Sequence, residues 1–239
     1  MFLENEKRGR EMTRKDSLKE RAQNLLPRIR GRPYMLELTG SPSSGKTTIK
    51  KILDTFYRRC GFRVAVPLEG AEAIRHISRK THLYNVRTGI YALKNLIDYS
   101  VSGNYDLVIF DRCLFDAFGW MRYWYERGDI DEARMVMLQQ FFTSPQWLCL
   151  IDAAFVIVAD PETVESREQE INILDEDGET TNSNNILRLI RIFGGMQKEF
   201  FAKGAPMQFI DTSDLPKREM ARVVLGQTLD LLEAAHGNR

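Results

Sequence analysis

The residues with the clearest chemical meaning form the stretch Gly40-Ser41-Pro42-Ser43-Ser44-Gly45-Lys46-Thr47, which fits the Walker A pattern G-x-x-x-x-G-K-[ST]. The backbone amides of such a loop and the N-terminus of the following helix converge on one point and favour an anion there. Glycine carries no Cβ, so it lets the backbone approach a phosphate closely. We expect Lys46 to reach the β- and γ-phosphates of a nucleoside triphosphate, and the Thr47 hydroxyl to ligate Mg²⁺. The sequence therefore predicts a polyphosphate site.

A second pair of candidate residues follows the apolar run 107–110. Asp111 ends the segment and Arg112 comes directly after it. Ligands of open α/β sheets lie at the carboxyl ends of the strands, so we expect Asp111 near Lys46 and Thr47, holding Mg²⁺ directly or through water. Arg112 would present a planar, permanently charged donor to a phosphoryl or hydroxyl group. The structural alternative is that Asp111 caps the next helix and Arg112 lies on the surface.

Glu69 follows another short apolar run, at 63–67. A carboxylate just beyond the end of a strand could accept the proton of an attacking hydroxyl group or orient the acceptor. Acidic residues also favour the first turn of a helix. Glu69 alternatively does no more than begin the helix that follows.

Aromatic residues are frequent between positions 84 and 125, on the side expected for a phosphoryl acceptor. A nucleobase could stack on one or two of them, and Tyr84, Tyr91 and Phe115 are the candidates. Most of the others are expected in the core or in a dimer interface, because Trp120 and Trp124 lie one helical turn apart.

The elements that would position these residues alternate along the chain. The candidate strands are 35–39, 63–67, 106–110, 153–159 and 207–210. Helical patterns lie near 46–59, 71–80, 86–102, 114–126, 130–142, 161–172, 184–203 and 215–235. Strands separated by helices of this length indicate parallel pairing, with the sheet covered on both faces. We therefore predict an α/β fold of three layers, α/β/α, around a five-stranded parallel sheet.

The composition is that of an ordinary globular protein, with 43% hydrophobic and 28% charged residues. No run is long and apolar enough to span a bilayer, so we expect no membrane association and a cytoplasmic location. The three cysteines are scattered and lack C-x-x-C spacing, which argues against a zinc site or a disulfide framework. A net charge of +1 gives no general reason to expect nucleic acid as a partner.

The first 33 residues differ from the rest because they hold ten Lys or Arg and only five Asp or Glu. This arm contains Leu18, Ala22 and either Leu25 or Leu26 on a possible helical stripe. A basic arm could contact a polyanion or a partner subunit, but a solvated helical extension is the favoured interpretation. We expect a single domain over residues 34–239, with a polar, aperiodic loop beginning near 168.

The order of these parts resembles thymidylate kinases and the related deoxynucleoside kinases over residues 34–233. The resemblance lies in the phosphate loop, Glu69, the Asp111-Arg112 pair and the segment 160–167. Thymidylate kinases place Asp-Arg at the position of Asp111-Arg112, whereas deoxynucleoside kinases usually have Glu-Arg-Ser there. The stretch 118–140 is more similar to the deoxynucleoside kinases. The resemblance implies a P-loop kinase-like fold with a lid at about 167–185, and it implies a homodimer by analogy.

The resemblance also implies roles for individual residues. The donor triphosphate and Mg²⁺ would be held by Gly40, Ser43, Ser44, Gly45, Lys46, Thr47 and Thr48. Glu69 would be the base, and Arg112 would grip the acceptor end. Arg87 falls in the helix that supplies an acceptor-phosphate arginine, and Arg167 matches the first arginine of the lid. The loop that contacts adenine would consist of Asp211, Thr212 and Ser213.

Two departures from the family pattern stand out. The family acid is normally followed by proline, but here Pro67 precedes Glu69 and Gly70 follows it. Lids of active members are usually rich in arginine, because several cations neutralise the transferring phosphoryl group. Here Arg167 precedes an acidic stretch that runs to Glu179. The lid therefore differs in mechanism, or the chain transfers phosphate slowly or to an unusual acceptor.

These observations favour ATP- and Mg²⁺-dependent phosphoryl transfer to a nucleoside monophosphate, as in thymidylate kinases, or to a deoxynucleoside. One alternative is a kinase for another acceptor, such as a polynucleotide 5′ end or another small molecule. Another is a non-catalytic module that senses ATP and controls a partner. A GTPase is disfavoured because the chain has no Asn-Lys-x-Asp motif.

Overall fold

The computed structural model describes residues 17–29, 31–171, 183–202 and 207–236. Five strands, β1 to β5, cover Tyr34–Gly40, Val64–Ala65, Leu107–Asp111, Ala153–Val158 and Met207–Asp211. A first helix, α1, covers residues 17–25. The helices α2 to α10 cover Lys46–Arg59, Gly70–Ala73, His82–Ser100, Leu114–Arg127, Glu132–Phe142, Pro145–Leu148, Pro161–Ile171, Ser183–Ala202 and Lys217–His236.

The five strands form one parallel sheet in the order β2-β3-β1-β4-β5. Strand β1 lies at the centre, with Leu38 opposite Asp111 of β3 and Gly40 opposite Ile157 of β4. Every residue of β1, β3 and β4 is buried, as expected for parallel strands covered on both faces. The predicted five-stranded parallel sheet is confirmed, and the carboxyl ends of β1 and β3 meet at one edge.

Helices cover both faces of the sheet, so the predicted three-layer architecture is confirmed. One core cluster packs α4, α5 and α9 against the sheet through large side chains that include Tyr123, Trp124 and Phe193. The other packs α2 and α10 against the opposite face, with Ile49, Leu53 and other apolar residues buried at spacings of four. Such spacing places the side chains on one face of a helix.

Local elements differ from the sequence prediction around residues 63–81. The predicted strand 63–67 is shortened to Val64–Ala65, and Pro67 beyond it has no backbone N–H to donate. The predicted helix 71–80 ends at Ala73, because Ile74 is extended with φ −114° and ψ 98°. Helix α4 begins at His82, four residues earlier than predicted, where Thr81 caps it by accepting a hydrogen bond from the next turn. The single-turn helix α7 was not predicted.

The described part of the basic arm packs against the domain, which differs from the solvated extension favoured by the sequence. Ala22 and Leu25 on α1 are buried in the same core cluster as α2 and α10. Arg21 pairs with Asp230 at 2.6 Å and with Glu233 at 2.7 Å, both on α10. Residues 1–16 and 30 lie outside the described residues. None of the described helices is both long and apolar enough to cross a bilayer.

Replacement of the buried Ala22 by aspartate tests this packing. Ala22→Asp buries an unpaired carboxylate beneath α1, so we expect the free energy of unfolding in urea to fall by about 2 kcal/mol or more. The matched control is Gln23→Asp on the exposed face of the same helix, which should change it by less than about 0.5 kcal/mol. Equal stability of the two variants would contradict the packing of α1.

Candidate active site

The loop between β1 and α2 has the backbone conformation that its glycines allow. Gly40 has a φ of 131°, and a Cβ built there would lie 1.8 Å from the carbonyl oxygen of Ile157. Gly45 has a φ of 93° and precedes the first residue of α2, and Ser43 also has a positive φ, of 50°. The glycines therefore permit both the close packing of β1 on β4 and the sharp entry into the helix.

Lys46 is buried inside this loop. Its ammonium group donates to the carbonyl oxygen of Gly40 at 3.2 Å and also to that of Ser41. Burial, followed by the positive charge of Arg112, lowers the pKa of Lys46 to about 7. The loop thus folds around its own lysine, and an anion at the helix N-terminus would offer this ammonium group a stronger partner than carbonyl oxygens.

Oxygen ligands for a divalent cation lie on two neighbouring elements. Thr47 is exposed in the first turn of α2, Thr48 beside it is half-buried, and Asp111 is buried at the end of β3. Hydroxyl and carboxylate oxygens suit Mg²⁺. The described residues contain no cluster of three His, Cys, Asp or Glu able to hold a metal by themselves. A metal bound by Thr47 and Asp111 would therefore take its other ligands from phosphate and water.

Lys50 contacts Asp111, a feature that sequence reasoning missed. The Lys50 ammonium group lies 2.7 Å from Oδ2 of Asp111. Lys50 follows Lys46 by four residues on α2 and so lies on the same face of the helix. This spacing was the sequence feature that could have suggested a place for Lys50 in the site.

Arg112 joins two acids at the carboxyl end of β3. Its Nε lies 2.8 Å from Oε1 of Glu69, and its Nη1 lies 3.0 Å from Oδ1 of Asp116. Asp116 also accepts a hydrogen bond from Thr39 at 3.2 Å. Burial raises the pKa of Glu69, opposed by the charge of Arg112, and burial also raises the pKa of Asp116. The structure brings the predicted residues Glu69 and Arg112 together and adds Asp116, which sequence reasoning missed.

Glu37 of β1 fixes the segment that carries Arg112. Its fully buried carboxylate accepts hydrogen bonds from the backbone N–H groups of Cys113, Phe115 and Asp116 at 3.0, 3.1 and 2.9 Å. These N–H groups belong to the first turn of α5, where no intrahelical partner exists. Burial raises the pKa of Glu37 to about 7, although the three hydrogen bonds oppose this shift. An acid inside the apolar run of β1 was the signal that could have identified this cap.

A cavity of about 740 Å³, which we call the site cavity, opens beside these groups. Its wall includes Pro42 of the phosphate loop, Glu69 and Arg112. Tyr84 lines it, as do several other aromatic and polar side chains: Asn85, Asp116, Trp120, Tyr123 and Trp124. Three exposed cations of the 74–81 segment also line it, namely Arg75, Arg79 and Lys80. The site cavity thus has an aromatic wall and a charged wall.

Three predicted acceptor residues lie away from the site cavity. Arg87 is exposed and Tyr91 is half-buried on α4, and neither lines this cavity. The face of α4 toward the cavity carries Tyr84 and Thr88 instead. Phe115 packs edge-on against Phe200 and lines a separate cavity of about 960 Å³.

Arg167 connects the phosphate loop with the segment after β5. Its guanidinium donates to the carbonyl oxygen of Ser43 at 3.2 Å and to that of Thr212 at 2.9 Å. The Thr212 hydroxyl in turn donates to the carbonyl oxygen of Ser44 at 2.8 Å. Asp211 accepts hydrogen bonds from the N–H and hydroxyl groups of Ser213 at 2.9 and 2.6 Å. The predicted lid beyond 171 falls mostly on residues 172–182, outside the described residues.

Replacement of Glu37 by glutamine tests the cap. A carboxyl group offers two accepting oxygens in either protonation state, whereas the amide nitrogen of glutamine cannot accept a hydrogen bond. At least one buried N–H of α5 then loses its partner, so Glu37→Gln should lower the free energy of unfolding by about 1–3 kcal/mol. The control is Glu20→Gln at an exposed position of α1. A Glu37→Gln variant as stable as this control would show that the cap contributes nothing.

Comparisons with known proteins show which solved structures share the fold of this chain. No family model matches the chain, and no curated protein matches it. Solved structures of deoxyadenosine kinase from M. mycoides are similar to it. The structure with bound dCTP has 15% identity and a TM-score of 0.55, covering 82% of this chain and 99% of that one. The structure with the products dCMP and a flexible dCDP has 13% identity and a TM-score of 0.59, with the same coverage.

A third structure of that enzyme, with bound dATP, has 14% identity and a TM-score of 0.52, covering 81% of this chain and 98% of the other. At this level of identity the likeness concerns the fold. The chain therefore has a P-loop nucleoside kinase-like fold.

Proposed function

We propose that this chain transfers the γ-phosphoryl group of ATP, with Mg²⁺, to a nucleoside monophosphate or a deoxynucleoside. The observation that carries the proposal is that one cavity joins the phosphate loop, at Pro42, to the ion pair of Glu69 and Arg112. A donor phosphate held by the loop and an acceptor held in this cavity would meet at their shared wall. Positioning of this kind supplies much of the rate in phosphoryl transfer.

The donor side of the proposal rests on the loop around Lys46. The N-terminus of α2 and the ammonium group of Lys46 converge there, as a polyphosphate requires. The segment Asp211–Ser213 is hydrogen-bonded to the phosphate loop through Thr212, so an adenine ring could lie against it. Structures with the same fold contain dCTP and dATP, which supports a nucleoside triphosphate as ligand. Arg167 would then stabilise the donor side of the site by joining the two segments.

Mg²⁺ fits the residues present at the end of β3. Thr47 and Asp111 would hold it, with the phosphates and water completing its coordination. Bound there, the ion would neutralise charge on the β- and γ-phosphates. A requirement for Mg²⁺ distinguishes phosphoryl transfer from simple binding of an anion at the loop.

The acceptor side of the proposal rests on Glu69 and Arg112. Burial raises the pKa of Glu69, so its carboxylate is a stronger base than one in water and can accept the proton of an attacking hydroxyl group. Arg112 lies 2.8 Å from this carboxylate and restricts its orientation. The same guanidinium would stabilise negative charge on the transferring phosphoryl group.

Two observations bear on the acceptor and favour different answers. The similar structures are those of a deoxyadenosine kinase, which favours a deoxynucleoside. Arg75, Arg79 and Lys80 bring three positive charges to one part of the site cavity, where Glu72 brings one negative charge. An excess of cations at a cavity wall favours an acceptor that carries a phosphate.

A homodimer and a cytoplasmic location stay predictions. Leu83, Ile90 and Ile97 are exposed at seven-residue intervals on α4, which is compatible with an interface there.

Labelled ATP incubated with Mg²⁺ and a panel of nucleosides and nucleoside monophosphates tests the proposal. We expect labelled product from at least one acceptor, and a loss of about a thousandfold or more in Lys46→Met, because the buried cation no longer stabilises the phosphates. The matched control is Lys51→Met, an exposed lysine on the same helix, which should retain activity. Absence of product from every acceptor, or full activity of Lys46→Met, would overturn the proposal.

The double variant Arg79→Ala/Lys80→Ala distinguishes the two acceptor classes. Loss of two cations should lower kcat/KM for a monophosphate by about tenfold, because each exposed ion pair contributes up to about 1 kcal/mol. Transfer to a nucleoside should change by less than about threefold by the same reasoning. Arg87→Ala, an exposed cation of α4 outside the cavity wall, is the control. A larger loss in Arg87→Ala would reassign the acceptor phosphate to that residue.

A further inference from the structure

Lys50 and Asp111 form an ion pair inside the site. The Lys50 ammonium group lies 2.7 Å from Oδ2 of Asp111, and only 14% of the Lys50 side chain and 2% of the Asp111 side chain are exposed. This oxygen makes no aligned hydrogen bond among the described residues, so the contact balances charge without a directional bond. Lys50 is thus the cation in direct contact with this buried carboxylate.

The two other cations near Asp111 already have partners. Arg112 is paired with Glu69 and Asp116, and Lys46 donates to carbonyl oxygens of its own loop. A buried carboxylate without a partner is strongly unfavourable. Lys50 therefore supplies the positive charge that partners the buried Asp111 carboxylate.

The position of Lys50 conflicts with the proposed role of Asp111 as a metal ligand. An ammonium group and a divalent cation repel each other, and this repulsion is strong in a partly buried site. The two cannot share one carboxylate oxygen at bonding distance. The lysine stem is flexible and can move its charge elsewhere.

We propose that Lys50 is an internal counter-ion of Asp111, and that a divalent cation binding this carboxylate must compete with it. The inference rests on the proposed binding of ATP with Mg²⁺ at the phosphate loop. It deepens that function by making Lys50 a competitor that weakens the affinity of the site for metal.

The first measurement concerns the ion pair and needs no nucleotide. Urea unfolding in the presence of EDTA is compared for wild type, Lys50→Gln, Asp111→Asn and the double variant. We expect Lys50→Gln to lower the urea midpoint and the added Asp111→Asn to restore it, because the unpaired acid is then removed. No coupling between the two positions would overturn the counter-ion. If Lys50→Gln does not fold, Lys50→Met is used in its place, because methionine keeps the volume of the apolar stem. We expect the same fall in the urea midpoint and the same recovery with Asp111→Asn.

The second measurement concerns displacement and uses Mn²⁺ as the probe. The signal of free Mn²⁺ in electron paramagnetic resonance is titrated with protein kept in excess over a non-hydrolysable ATP analogue, so that little free analogue remains to chelate Mn²⁺. We expect Lys50→Gln to bind Mn²⁺ about fivefold or more tightly than wild type, whereas Lys51→Gln, with the same charge change at an exposed position, should match wild type. Equal or weaker Mn²⁺ affinity in Lys50→Gln would overturn the inference.

The two measurements separate this inference from the proposed function. Binding of the analogue to the wild type in EDTA is measured first. If the analogue binds and Lys50→Gln leaves Mn²⁺ affinity unchanged, the inference about Lys50 falls and the proposed function stands. If the analogue does not bind although the ion pair is coupled in unfolding, the proposed function falls, and the competition with metal falls with it.

Discussion

The arrangement of the site depends on one buried interaction, the capping of α5 by Glu37. A carboxylate on the central strand accepts hydrogen bonds from three N–H groups of another element, so the turn between β3 and α5 cannot shift without breaking them. Arg112 lies in this turn with a φ of 70°, a conformation that a non-glycine residue adopts only under constraint. Because the same strand continues into the phosphate loop, β1 fixes Lys46 and Arg112 relative to each other.

The charges of the site are organised as neighbouring pairs rather than as isolated groups. Arg112 bridges Glu69 and Asp116, and Lys50 contacts Asp111. Pairing offsets the free-energy cost of burying these charged groups. Burial in turn strengthens their electrostatic interaction with the charge of a ligand. A ligand that carries its own phosphates must therefore rearrange existing pairs instead of filling a neutral pocket.

Sequence reasoning was reliable where one physical cause dominates. Parallel strands are buried on both faces, so their apolar runs predicted the sheet, and the glycine spacing predicted the conformation of the loop between β1 and α2. Sequence reasoning failed where the outcome depends on tertiary partners: the acid inside β1 and the second lysine on α2 were visible, but their partners, a helix about 75 residues later and Asp111, were not. Arg87 was chosen from the family resemblance and Tyr91 as an aromatic residue, and the packing of α4 places neither in the wall of the site cavity.

The close contact at Gly40 has a consequence for how the site could respond to a ligand. Since β1 touches β4 there with no room for a side chain, the first residue of the loop shares the stiffness of the middle of the sheet. The 74–81 segment, which lines the site cavity through Arg75, Arg79 and Lys80, contains no helix or strand. Segments without regular backbone hydrogen bonding open more easily than a sheet, so we expect the cavity to adapt to ligands of different size through this segment and not through Gly40.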